Sequence, residues 1–241
     1  KDIVVIIIFF ILPILFYLYG STSKKIFLAS DDIVYDYKVR AIGTNISLDR
    51  FYKNIDPILV IKDLIDLSEP EINEKTIFVW PEGILPGISQ KELIEYKWLF
   101  ENRFSENHFL AVGTNSQISK DGNINYFNSL SIYDQNLRLI NAYNKVNLVP
   151  FGEFLPFENI LKNIGLRVIT NNYQSFSKGD KREIMEIDKE DFSFRILPLI
   201  CYEIIYSGKL FKNQNFDLII NISEDGWFGS SIGPKQHFAH S

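Results

Sequence analysis

A single cysteine, Cys201, follows the apolar run FSFRILPLI and precedes Tyr202 and Glu203 in a chain of 241 residues. The end of a buried strand is where α/β folds place reactive groups, although a lone cysteine beside Ile200, taken alone, fits a small core hydrophobe more readily than a nucleophile. Thiol chemistry needs a base and a stabilised anion, because a reference pKa of about 8.5 leaves little thiolate at neutral pH. The commonest base is histidine, but His108 lies beside a predicted core strand and His237 and His240 lie near the end of the sequence, so only their presence supports a Cys-His pair. Two other segments fit better. In TIFVWPEGILP, residues 76–86, an apolar strand ends in Trp80-Pro81 and offers Glu82 before the Gly83 turn. A carboxylate held there is partly desolvated and its raised pKa suits proton transfer, whereas a solvated loop glutamate would do nothing of the kind. In YNKVNLVPFGEFLPF, residues 143–157, Lys145 precedes a turn shaped by Pro150 and Gly152, with Glu153 eight residues on. A lysine in apolar surroundings needs an anion nearby, and an exposed strand lysine is the plainer alternative.

The elements that must carry these groups read as strands alternating with helices. Short β-rich runs occur at Tyr37–Ile42, Thr76–Trp80, Phe109–Gly113, Leu130–Tyr133, Phe192–Ile200 and Leu218–Ile220, several apolar enough to be buried on both faces. Helices are predicted over Ile58–Leu67 and Gln90–Phe104, the second with a core-facing stripe of Leu93, Tyr96, Phe100 and Phe104. Asp121-Gly122 marks a turn. Phe151 to Lys181 resists the pattern: an apolar stretch through Phe154 and Ile164 gives way to a polar tail, the mark of a functional lid, with a short core helix over Glu158–Ile164 compatible with it.

Composition narrows the classes further. Thirty acidic against 25 basic residues give a net charge of −5 with no basic run longer than Lys24-Lys25, so nucleic acid is not an expected partner. A hydrophobic fraction of 46 % excludes disorder, and one cysteine excludes an internal disulfide framework. No metal-ligand cluster or phosphate-cradling glycine loop appears, so neither metal nor cofactor is expected. The uninterrupted run Ile3–Tyr19 would span about 26 Å as a helix against a hydrocarbon core of roughly 30 Å, and has no polar face. It is read as a transmembrane helix within residues 1–23, followed by a linker over 24–35 and a catalytic domain over 36–241. With its only methionine at Met185, the sequence reads as part of a longer protein.

Glu82 in WPE, Lys145 in YNKVNLVPFGE and Cys201 in ICYE together resemble the Glu-Lys-Cys triad of the nitrilase superfamily of carbon-nitrogen hydrolases, in the same order. Within it, LVPFGEFLP, CYE, the downstream NISEDGWFGSSIGPKQHFAHS and the leading hydrophobic run are most similar to the bacterial apolipoprotein N-acyltransferase family. Gly43-Thr44-Asn45-Ile46, with Tyr52 beyond it, departs from the family pattern at the loop over the site. The resemblance implies an α/β fold, a nitrilase-like α-β-β-α sandwich preceded by a transmembrane helix, which would end a membrane bundle that begins before Lys1, and truncated at its C-terminal end, with a last helix after Ser241. It implies ping-pong N-acyl transfer: Cys201 as nucleophile, Glu82 as general base and acid, and Lys145 with the backbone N–H of Tyr202 as oxyanion stabilisers, supported by Glu153 and Glu203. The acyl donor would be a phospholipid and the acceptor the α-amino group of a diacylglyceryl-modified apolipoprotein, at the bacterial inner membrane with the domain on the periplasmic side. Phe151, Phe154, Trp227 and Phe228 are candidate walls of an acyl path. The rival expectations are a membrane-tethered amidase or nitrilase acting on a small substrate, and a non-catalytic binding module of the same fold.

Overall fold

The structure, a computed structural model, describes residues 2–29, 34–44, 46–53, 55–120, 122–157, 163, 165, 175–209 and 215–240. It divides into two compact units, residues 1–36 and 37–241, each taken here by itself. The first holds helix α1, Asp2–Leu28, with Pro13 inside it. The predicted run is therefore helical, but the helix continues past residue 23, because nothing in STSKKIFL breaks it and the Thr22 hydroxyl donates to the Leu18 carbonyl at 2.8 Å. Phe9, Phe10, Leu15, Tyr19 and Phe27 are all exposed. Among the described residues no helix is long and apolar enough to cross a membrane, and the side chains at positions 3, 4, 6 and 7 of the apolar run lie outside those described.

The second unit is built on two sheets. Strands β1 (Lys38–Ala41), β2 (Thr76–Trp80), β3 (His108–Lys120), β4 (Asn123–Asp134) and β5 (Leu139–Asn144) lie side by side in that order. The β1-β2 and β2-β3 pairs are parallel, and the β3-β4 and β4-β5 pairs antiparallel. Strands β6 (Met185–Ile187), β7 (Phe194–Ile200) and β8 (Leu218–Ile222) form the smaller sheet, with β7 and β8 parallel. Successive side chains point to opposite faces of a strand, and this sequence is apolar on both. Ile77, Phe109, Ala111, Leu130 and Ile132 pack against Met185, Phe194, Ile196, Ile200 and Ile222 of the smaller sheet. Their neighbours Phe78, Trp80, Leu110 and Val112 pack on the other face against Val60, Ile61, Leu64 and Ile65 of helix α2 (Pro57–Ser68) and against Leu93, Phe100 and Phe104. Helix α2 begins where the Asp56 side chain accepts the Ile58 N–H and Pro57 takes the first turn. Leu199 and Ile204 form a smaller cluster beyond the second sheet. The result is a layered α/β arrangement, with the two sheets packed against each other and helices on the outer face of the larger one.

The structure corrects several boundaries. The predicted helix Gln90–Phe104 is a 3-10 turn over Glu92–Tyr96 running into a short α3, Lys97–Phe100, and Asn102 at φ 64 prevents its continuation. The stripe nevertheless stays inward, with Leu93, Phe100 and Phe104 buried. Strands β3 and β4 extend well beyond their apolar cores, since the Thr114 and Ser131 hydroxyls bond diagonally across the ladder at 2.7 Å and those of Ser116 and Ser129 at 2.8 Å. Gly122, at φ 79, closes that hairpin, while Asp121 lies outside the described residues. Strand β1 is shorter than Tyr37–Ile42, β7 starts at Phe194 rather than Phe192, and β8 runs to Ile222. The short strands β5 and β6, mixed in polarity, carried no predicted strand. The helix expected over Glu158–Ile164 lies outside the described residues except for position 163, as does part of the polar tail.

Candidate active site

The three residues singled out by chemistry leave three different strands and line one pocket of about 310 Å³. Glu82 sits two residues beyond β2, where its backbone lies so close to β3 that only glycine fits opposite. A Cβ on Gly113 would fall on the Pro81 carbonyl oxygen and 2.6 Å from the Glu82 Cα. The Glu82 carboxylate accepts the Asn128 side-chain amide at 2.6 Å on one oxygen and the Glu224 backbone N–H at 3.1 Å on the other. Burial, partly opposed by Lys145 and reinforced by Glu153, raises its pKa above the usual carboxylate value.

Lys145 follows β5 directly, its N–H extending the ladder to the Asn128 carbonyl at 2.9 Å. Its ammonium, 1 % exposed, lies 2.9 Å from Glu153 Oε2 and 3.5 Å from Glu82 Oε1. Burial by itself would push its pKa down, but Glu82, Glu153 and Cys201 outweigh that and raise it, so the lysine stays charged. Glu153 is in turn held by the Asn128 amide at 2.7 Å and the Val149 N–H at 2.8 Å. One cation thus faces two carboxylates, and Glu153, at the shorter distance, is its principal partner.

Cys201 directly follows β7 and opens a 3-10 segment, Cys201–Lys209, at φ 53. A non-glycine residue in this left-handed region costs on the order of 1 kcal/mol and persists only where its surroundings hold it. The sharp strand-to-helix corner turns the thiol toward the pocket. Burial first, then Glu82, pushes the Cys201 pKa up to about 12 against the opposing pull of Lys145 and the Ser223 hydroxyl. The resting thiol is therefore protonated.

Glu203, two residues on and wholly buried, clamps this corner from below. It accepts the Ile200 N–H at 3.0 Å, the Val146 and Asn147 N–H groups at 3.1 and 2.9 Å, the Tyr143 hydroxyl at 2.8 Å and the Arg182 guanidinium at 2.7 Å. The same carboxylate thereby fixes the cysteine corner against the end of the lysine strand.

The aromatic candidates divide. Trp227 and Phe228 line the pocket, joined by Phe51, Tyr52 and Phe176, whereas Phe151, 53 % exposed, and Phe154 are not among its walls. Trp227 packs on Phe51 with ring centroids 4.8 Å apart. Tyr202, next to the cysteine, is 40 % exposed and packs edge-on to Tyr206. His108 is buried away from this cluster, bonded to the Ser105 N–H and the Glu71 carbonyl, and His237 lies against Asp225 at 2.7 Å. Sequence reasoning missed Asn128, Arg50, Arg182 and Glu224. Only Asn128 carried a signal, as the one amide in the buried part of β4, beyond the less buried Asn123 and Asn125. Among the described residues no group of three or more His, Cys, Asp or Glu is placed to hold a metal ion.

The sequence matches the family described as Carbon-nitrogen hydrolase over residues 73–241. It is similar to proteins named apolipoprotein N-acyltransferase. One, from Brucella suis biovar 1, is 31 % identical over 83 % of this chain and 38 % of its own length. Another, from Wigglesworthia glossinidia brevipalpis, is 35 % identical over 83 % of this chain and 40 % of its own length. The chain thus spans about two-fifths of the length of these curated relatives. Among solved structures, a carbon-nitrogen hydrolase from Helicobacter pylori G27 matches with a TM-score of 0.49 and 11 % identity, over 84 % of this chain and 65 % of that one.

Proposed function

The chain belongs to the carbon-nitrogen hydrolase family, and we propose that it is the catalytic part of an apolipoprotein N-acyltransferase. The observation that carries this reading is the convergence of Glu82, Lys145 and Cys201 on one aromatic-walled pocket, in a chain whose curated relatives bear that name. The donor is a phospholipid and the acceptor the free α-amino group of a lipoprotein's diacylglyceryl-modified N-terminal cysteine.

The proposed chemistry follows from the charges. With the thiol protonated at rest, deprotonation accompanies attack: Glu82 takes the Sγ proton as sulfur adds to the ester carbonyl. The oxyanion develops beside the Lys145 ammonium and the N–H of Tyr202, in the first turn of a 3-10 segment where backbone donors have no partner within the helix. Collapse breaks the ester C–O bond, Glu82 returns its proton to the leaving glycerol oxygen, and a lysophospholipid departs from a Cys201 thioester. The lipoprotein amine then adds to the thioester carbonyl, losing a proton to Glu82. The C–S bond breaks, the thiolate recovers that proton, and an amide is released. Water must stay out for the thioester to await the amine, which gives the aromatic wall of Phe51, Phe176, Trp227 and Phe228 its role. The exposed apolar helix α1 is proposed to sit in the bacterial inner membrane, with the domain on the periplasmic side.

The test is intact-protein mass spectrometry of the full-length protein incubated with phosphatidylethanolamine and no acceptor. A one-acyl adduct is expected that is removed by hydroxylamine, discharged by a diacylated lipopeptide and absent from Cys201→Ala. Turnover of small amides or nitriles by a folded enzyme that forms no lipid adduct would replace this reading with the membrane-tethered hydrolase.

A further inference from the structure

Three loops meet at the mouth of the pocket and supply much of its lining: Phe51 and Tyr52 from one, Glu82 and Gly83 from the second, Glu224, Trp227 and Phe228 from the third. One guanidinium bonds all three. Arg50, its side chain 1 % exposed, donates through Nη1 to the carbonyls of Ile46 at 3.0 Å and Ser47 at 3.2 Å, and through Nε to the Gly83 carbonyl at 3.3 Å. Its Nη2 pairs with Glu224 Oε2, and its Cζ lies 4.6 Å from the centroid of the Phe51 ring. Glu224 uses its other oxygen to accept the Gly226 N–H at 2.8 Å, and its own backbone N–H is the donor to Glu82 Oε2. Arg50 therefore grips the residue after Glu82 and also the residue whose N–H orients the Glu82 carboxylate, although it does not itself touch that carboxylate.

We infer that the Arg50–Glu224 pair is a positioning clasp for Glu82, fixing both the direction and the ionisation of the base while holding Trp227 against Phe51. The inference rests on the reading of Glu82 as the base for Cys201. Buried ion pairs are poor sources of net stability compared with well-packed apolar groups, and this one lies where geometry matters to a reaction. The planar fork of arginine bonds several carbonyls and a carboxylate at fixed angles, which a lysine point charge cannot do. Glu82 is also faced by Lys145 after β5, Glu153 in the following turn, Cys201 at the end of β7 and the neutral Asn128 on β4. Of the donors that favour its ionised form, the Glu224 N–H is the one the clasp controls.

The experiment follows alkylation of Cys201, the one cysteine of these 241 residues, by iodoacetamide in the full-length protein across pH, read by mass spectrometry of the peptide that carries Cys201 beside a thermal melt. No lipid is needed, so the result stands apart from the identity of the acyl donor. In the unmodified protein the rate should rise with pH as Glu82 ionises, and Glu82→Gln should abolish that limb. Arg50→Gln and Glu224→Gln should each slow alkylation tenfold to roughly a hundredfold, the scale of an approximately 1 Å misplacement. Each should also move the acid limb upward by about one pH unit, because a carboxylate that loses a donor ionises later. Their double variant should be no slower than the worse single one. Should Arg50→Gln fail to fold, Glu224→Gln alone is decisive. A folded variant with an unmoved limb, whatever its rate, overturns the clasp. Survival of the limb in Glu82→Gln would instead overturn Glu82 as the base, and with it the premise.

Discussion

Glu82 and Glu203 are two buried carboxylates in one domain, one reached by a lysine and the other by an arginine, yet their surroundings prepare them for opposite tasks. Glu203 accepts from Ile200, Val146, Asn147, Tyr143 and Arg182 and is wholly shut from solvent. Glu82 shares its lysine with Glu153 and faces a pocket. A buried carboxylate engaged on all sides by donors inside the fold serves structure, whereas Glu82, its pKa raised chiefly by burial, faces a pocket where it can exchange a proton. Tyr143 shows the structural side of this contrast. Burial, and then the charge of Glu203, raises its pKa, so it serves Glu203 purely as a hydrogen-bond donor.

The sharpest test of the contrast is Glu82→Gln. The rate of acyl-adduct formation should fall by about 10²–10⁴-fold, the range associated with a general base, with little change in melting temperature because a poorly compensated charge has been removed. Mass spectrometry and a thermal melt read the two effects. Glu203→Gln should reverse the pattern. Leaving Arg182 and three backbone donors without their anion should cost about 3–5 kcal/mol, or roughly 10 °C for a domain of this size, read by calorimetry. Equal melting temperatures for the two variants would break the comparison.

Asn128→Leu sharpens it, since that amide is the common donor to Glu82 and Glu153. We expect adduct formation to drop about tenfold, the worth of roughly one charge-assisted hydrogen bond, with an acid limb moved upward. The smallest effect is on stability against pH. The folded pKa of Glu82 lies above its ordinary 4.5, so its contribution to stability is fully present below that value and is lost as pH rises through the folded one. With Glu82 as the proposed base, activity is expected to be gained over the same window. The difference in unfolding free energy between the unmodified protein and Glu82→Gln should therefore slope with pH above 4.5 and be flat below it, as followed by urea unfolding.

Much of this site was legible in the sequence because its parts stand at the ends of apolar strands. Trp80-Pro81-Glu82 and Ile200-Cys201-Tyr202 announce a buried strand followed by a reactive side chain, and β2 has the predicted bounds. The long β3-β4 hairpin was half hidden, since Thr114, Ser116, Ser129 and Ser131 look like loop residues until they satisfy one another across the ladder. Phe151 and Phe154 have the composition of a pocket wall, but the backbone turns them away from it, with Phe151 at φ 64.

By itself, then, the sequence determined the α/β class, the apolar layers and the identity of the groups able to do the chemistry, because periodicity and residue type are local properties. Tertiary structure alone decided how Lys145 is shared between Glu153 and Glu82, which aromatics close the pocket and how Arg50 reaches a loop 174 positions away in the chain. Those outcomes depend on burial and on distances of a few ångströms between strands remote in sequence, where desolvation sets the strength of every charge, and no local pattern encodes such distances.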